Sequence, residues 1–167
     1  MNQQPMEHPH GAMRRKDREI TDRAEIDAII HTGRIMHLAL ADNNVPFVVP
    51  VCYAYDGAAL FFHSAKAGTK IEILKRNPVV CFEITGDHGV IESESACGFE
   101  ISHRTVIGFG RAVFIEDETE KTDALNRIVA RFTDKVFAYQ PESLARTAVV
   151  RIDITSVNGK KNQKSKN

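Results

Sequence analysis

Residues 60 to 84, LFFHSAKAGTKIEILKRNPVVCFEI, constrain the fold more than any other stretch because their periodicity changes twice in a short compass. Leu60 to His63 is an apolar run that ends in a polar cluster, which predicts a strand. From Thr69 the pattern is helical, with Ile71, Leu74 and Lys75 at spacings of three and four, and Thr69 with Glu72 three residues on reads as a capping box. Asn77-Pro78 ends that helix, since Asn tolerates a left-handed C-terminal position and Pro cannot continue. A further strand then begins.

Ser64, Lys66 and Gly68 stand just before the first helical turn, and Lys70 stands just inside it. A helix N-terminus presents backbone N–H groups and partial positive charge, so a hydroxyl and two ammonium groups beside it make a seat for a phosphate. The same residues fit an ordinary capped helix, in which Thr69 and Glu72 use some of those donors. On local grounds both readings stand.

Before this stretch, Thr21 to Thr32 predicts a helix with Ile26, Ile29 and Ile30 on one face, a capping box at Asp22 and Glu25, and Gly33 at its end. It is expected to pack across one end of a barrel. IMHLALA, VPFVVPVCYAY and AALFFHS then read as three strands of an antiparallel meander, joined at Asp42-Asn43-Asn44 and Asp56-Gly57. Pro46 and Pro50 cannot donate to a ladder, so the middle strand is expected at an edge or locally irregular. That leaves backbone groups near Val49, Val51 and Cys52 able to meet a flat heteroaromatic ring, or simply to form a plain edge.

After residue 84, TGDHGVIESESACG is polar and glycine-rich and reads as a long loop. FEISHRTVIGFGRAVFIED is a long β run expected to bend near Gly108 and Gly110. Asp117 and Glu120 open a helix through Phe132, with Leu125, Ile128, Val129 and Phe132 expected on its buried face. A polar turn around Pro141 leads to a last half-buried strand, TAVVRIDITSV. The sum is a mainly β architecture: an antiparallel barrel with flanking helices.

The 167 residues suit one domain over 13–158, with a polar, mobile segment at 1–12 and a basic flexible tail at 159–167. Twenty-two basic and 22 acidic residues cancel, so no overall field draws in nucleic acid or an anionic membrane. No window has the ~18 consecutive apolar residues of a membrane span, and the first residues lack the apolar core of a secretion signal. A cytoplasmic location is expected. Cys52, Cys81 and Cys97 are odd in number and form no CxxC, which fits reduced thiols. His88, Cys97 and His103 match no zinc spacing, and no metal is expected.

The order of these segments, and in particular His63-Ser64-Ala65 followed by Gly68 and Lys70, Asn77-Pro78 and the RTVIGFGRA run, resembles the pyridoxamine 5′-phosphate oxidase-related flavoproteins. The branch most similar contains the nitroimidazole-resistance (Nim) proteins, and the similarity spans roughly residues 13 to 155. It implies an FMN-binding split-barrel homodimer with the flavin at the subunit interface. Carried onto this chain, Val49, Pro50, Val51 and Cys52 would face the isoalloxazine. His63, Ser64, Lys66 and Lys70 would follow the ribityl chain and phosphate, and Arg104 with Thr105 would approach the same site from either subunit.

The resemblance also implies an FMN-dependent oxidoreductase that passes electrons from a reduced nicotinamide to a small organic acceptor such as a nitroaromatic. His63, whose ordinary pKa lies nearest neutrality, is the candidate catalytic proton donor. The alternative is a non-catalytic flavin- or haem-binding module of the same fold. The vitamin-making oxidase has an arginine-rich C-terminal substrate segment, and SVNGKKNQKSKN is no counterpart to it, which points to a different substrate.

Overall fold

Eight strands and four helices organise residues 9–163, which the computed structural model describes. In chain order they are β1 (Glu19–Ile20), α1 (Arg23–Thr32), β2 (Ile35–Asp42), β3 (Val45–Cys52), β4 (Ala54–Tyr55) and β5 (Ala59–Ala65). There follow α2 (Thr69–Arg76), β6 (Val79–Ile91), β7 (Glu100–Ile115), α3 (Glu118–Ala130), α4 (Pro141–Arg146) and β8 (Thr147–Asn162). All ladders are antiparallel, and the strand order is β3-β2-β6-β7-β8-β5-β4, with β1 added to β8.

The ends of that order, β3 and β4, are consecutive in sequence with Tyr53 alone between them. One bent strand therefore closes the sheet into a barrel, and the expected three-strand meander is replaced by two hairpins on opposite flanks. Tyr53, fully buried, pins the bend, its hydroxyl 2.6 Å from Ile30 O and 3.0 Å from Gly33 O at the end of α1. The guanidinium of Arg131 donates to His31 O and Gly33 O and lies 5.5 Å from the Tyr53 ring centroid. A cation is thereby set on the negative end of α1.

β3 pairs with β2 alone, so Pro46 and Pro50 do sit on an end strand. The β2–β3 turn places Asn43 and Asn44 at φ +49° and +64°, the left-handed pair that suits a two-residue hairpin. Asp56 holds the second turn by accepting from Ala58 N and Ala59 N.

The barrel interior is filled by Met36, Leu38, Leu60, Phe62, Phe82, Ile84, Val106, Val150 and Ile152, with Ile26, Ile29 and Ile30 of α1 packed onto it. A second apolar layer, including Phe61, Ile115, Leu125, Ile128, Leu144 and Val149, lies between the other sheet face and α3 and α4. Antiparallel barrel and flanking helices are thus as expected. Among the described residues no helix is long and apolar enough to cross a membrane.

Several boundaries differ. Much of the stretch read as a loop after residue 84 is strand: β6 continues to Ile91, pairing with β7 beyond an irregularity between Thr85 and His88. Residues 159–162, read as flexible tail, complete β8: Gly159 and Lys160 pair with β1, and Asn162 is buried, donating to Glu100 Oε2 at 2.7 Å and Ile101 O at 2.8 Å. Residues 1–8 and 164–167 lie outside the described residues.

The polar turn near Pro141 is the helix α4, and Val149 is buried beside Val150, so β8 is covered on both faces there. Phe132 is 48% exposed, because α3 ends at Ala130 before its stripe reaches that position. Gly108 serves Phe82: a Cβ there would stand 2.2 Å from the ring. The ladder irregularity falls one step on, between Phe109 and Gly110.

Candidate functional site

β5 delivers its last residues to the start of α2, and the backbone between them decides what that corner can bind. Gly68 is the helix N-cap, not Thr69, and no side chain caps the helix, so the expected capping box does not form. Gly68 adopts φ +111°, a conformation open to glycine and strained for other residues. Its carbonyl accepts from Ile71 N at 2.9 Å and Glu72 N at 3.1 Å. The first-turn N–H groups of Thr69 and Lys70 then have no partner inside the helix, the usual condition of a helix start. Without a Ser, Thr or Asp oxygen folded over it, this end keeps its donors and its positive potential for something else.

Lys70 is half-buried, its ammonium 5.6 Å from the centroid of the fully buried Phe62 ring. Burial lowers its pKa from the ordinary lysine value. His63 is exposed as a residue, yet burial of its ring pushes its pKa down, and the Lys70 charge pushes it further the same way. Two groups named from the sequence therefore share one electrostatic environment, and both are biased toward neutrality. An anion placed between them would reverse both biases.

The other predicted residues divide by strand parity. In β3, Val51 is buried and Val49 half-buried, both against the barrel core, whereas Pro50 and Cys52 are exposed on the opposite face. Four consecutive strand residues cannot all turn their side chains to one ring, so no single surface gathers 49–52. β3 does come into contact with β5, the strand that carries His63.

Ser64 pairs with Ala148, and His63 pairs with Val149 in the β5–β8 ladder. Lys66 lines a separate cavity with Lys75 of α2 and Lys121 of α3, apart from Phe62 and Lys70. Arg104 and Thr105 pair with Lys161 and Lys160 of β8. Thr105 also joins a polar chain across β2, β6 and β7. In it His37 Nδ1 lies 2.8 Å from Glu83, Thr85 bonds Glu83, and Thr85 and His103 each reach Thr105 Oγ1 at 2.9 Å. Sequence reading missed Lys121, since a lysine on a charged helix carries no sign that it will be 5% exposed.

The sequence profile of the pyridoxamine 5′-phosphate oxidase family matches residues 22–161, and the chain belongs to that family. A crystal structure from Bacteroides thetaiotaomicron, provisionally described as a 5-nitroimidazole antibiotic resistance protein, is 28% identical, covers 86% of each chain and superposes with a TM-score of 0.78. An FAD-binding protein from Mesorhizobium loti is 25% identical, covers 87% of this chain and 98% of its own, with a TM-score of 0.66. An uncharacterised protein of Rhizobium meliloti is 31% identical over 65 residues, 39% of this chain and 42% of its own length. These likenesses place the chain among the split barrels of this family and on its Nim-like side.

Proposed function

We propose that the protein is a flavin-dependent oxidoreductase, with FMN as cofactor, that reduces a small organic acceptor such as a nitroaromatic using electrons from a reduced nicotinamide. The observation that carries this is the open N-terminus of α2, where Lys70 and His63 are both biased toward neutrality beside donors that no side chain caps. A cationic corner of this kind fits the phosphate of a flavin nucleotide. The family, and the flavin named for the Mesorhizobium loti relative, support the same reading.

In this proposal Lys70 and the first-turn N–H groups hold the phosphate, with Ser64 beside them. The edge strand β3 supplies backbone groups and the exposed faces of Pro50 and Cys52 to the ring system. The flavin would supply hydride and electron transfer. His63, which ring burial and the Lys70 charge bias toward the neutral form, would take up a proton beside the bound phosphate. The nitroimidazole connection of the Bacteroides relative makes a nitroaromatic the first acceptor to try.

A homodimer belongs to the same proposal. Ile35, Val48, Val79 and Ile107 are 51%, 61%, 55% and 41% exposed on the β3-β2-β6-β7 part of the barrel, and a second copy would cover them. The test is the absorption spectrum of the purified protein after loading with FMN, then with FAD, followed by anaerobic addition of reduced nicotinamide and a nitroimidazole. Flavin bands that bleach with the nicotinamide and return with the acceptor support the reading. A protein that retains neither flavin overturns it.

A further inference from the structure

A cavity of about 330 Å³ opens between α2, α3 and the ends of β7 and β8, away from Phe62 and Lys70. Ile71, Phe114 and Val149 give it an apolar floor, and Lys66, Lys75 and Lys121 bring three ammonium groups to it. The position of Lys121 is the informative one. Its residue is 5% exposed, whereas lysine is almost never buried to that extent unless paired. Among the described residues the carboxylate nearest to its ammonium is Glu116, 3.9 Å away, beyond hydrogen-bond distance and itself 80% exposed. Lys75 is held at 3.2 Å by Glu72, which stands outside the lining, and Lys66 is exposed. The lining thus carries three cations against the one carboxylate of Glu116.

We infer that this cavity is a second anion site, distinct from the α2 N-terminus, and that it binds a small organic phosphate: an oxyanion bonded by Lys121, Lys66 and Lys75 with an apolar body on Ile71, Phe114 and Val149. The Lys121 stem is buried while its ammonium, 3.9 Å from Glu116, opens to the cavity, so an oxyanion there takes up its remaining donors and those of Lys66 in charge-assisted bonds. The volume lies within the range of small-molecule pockets, and an apolar floor with a few convergent polar groups is their usual make-up. The cavity also adjoins the candidate catalytic residue. His63 and Val149 are directly paired and project from the same face of the sheet, so a ligand here would lie one strand from His63. The inference does not rest on the flavin reading: of the residues invoked, Lys66 alone is one that the resemblance carries to the flavin, and Lys121 and Lys75 are not.

The test is calorimetric titration of the full chain, without added flavin, with phenyl phosphate and separately with inorganic phosphate. Phenyl phosphate is expected to bind at least about tenfold more tightly than inorganic phosphate, since only it covers the apolar floor. Lys121→Met, which keeps the length and apolar stem of the side chain, is expected to weaken phenyl phosphate at least about tenfold. Lys75→Ala, at an exposed position, gives a second reading should Lys121→Met not fold, with a loss of about threefold or more. Lys70→Ala removes the phosphate contact of the flavin corner, so the binding that persists in that variant, and is weakened by Lys121→Met, belongs to this cavity. Absence of binding by either anion, equal affinity for the two, or a loss seen in Lys70→Ala and in neither of the other variants overturns the inference.

Discussion

At the scale of single residues the account turns on Lys70 and His63. Lys70→Ala is expected to weaken FMN by roughly ten- to a hundredfold, since it removes a charge-assisted contact of about 1.5 to 3 kcal/mol; fluorescence titration reads this directly. For His63 the folded pKa lies below the ordinary 6.5, so the unfolded chain binds the extra proton first as pH falls. This residue therefore adds nothing to the pH dependence of stability well above 6.5 and lowers stability as pH falls through 6.5 toward the folded pKa. His63→Gln is expected to flatten the thermal-stability profile below pH 6.5 relative to wild type. The bound phosphate should favour the protonated ring, so FMN binding takes up a proton there. The ratio of wild-type to His63→Gln affinity is expected to rise between pH 8 and pH 6, by at most about tenfold per unit; a constant ratio would separate His63 from the phosphate.

At the scale of elements, much could be read directly from residue patterns and some could not, for identifiable reasons. Asp117 and Asp22 were visible as helix starts because a carboxylate before an apolar stripe has a definite job, and each accepts from a backbone N–H, Glu120 N and Ala24 N respectively. Thr69 looked equally suited to that job and is passed over, because Gly68 turns the chain one residue earlier through a left-handed conformation. The far ends of β6 and β8 were hidden because their polar composition matches that of loops. Their strand character comes from partners, β7 for one and β1 with β7 for the other. Closure of the barrel by a bend at Tyr53 was invisible for the same reason, since it depends on the distant carbonyls of Ile30 and Gly33.

Two substitutions separate these effects. Asp117→Ala should lower stability by about 1 kcal/mol, a fall of a few degrees in Tm, with flavin affinity unchanged. Gly68→Ala should lower stability by about 1 to 3 kcal/mol, because alanine is strained at φ +111°, and should also weaken FMN by disturbing the start of α2. Calorimetry and flavin titration of the two variants together check the distinction.

At the scale of the whole molecule, the barrel has two differently finished faces. One is covered by α3 and α4 through Leu125, Ile128 and Leu144, and the other leaves Ile35, Val48, Val79 and Ile107 exposed. A homodimer would finish the second face as the helices finish the first. If the proposed homodimer forms on this face, Val48→Lys together with Ile107→Lys is expected to give a monomer by light scattering and to weaken flavin binding; a wild-type monomer that holds flavin would contradict the proposal. The central claim, that the Lys70 corner grips the phosphate of a flavin, is tested most directly by comparing FMN with riboflavin, which lacks that phosphate. Wild-type protein is expected to prefer FMN by at least about tenfold, and Lys70→Ala to lose most of that preference while keeping its affinity for riboflavin. A preference for FMN that survives intact in Lys70→Ala would contradict the claim.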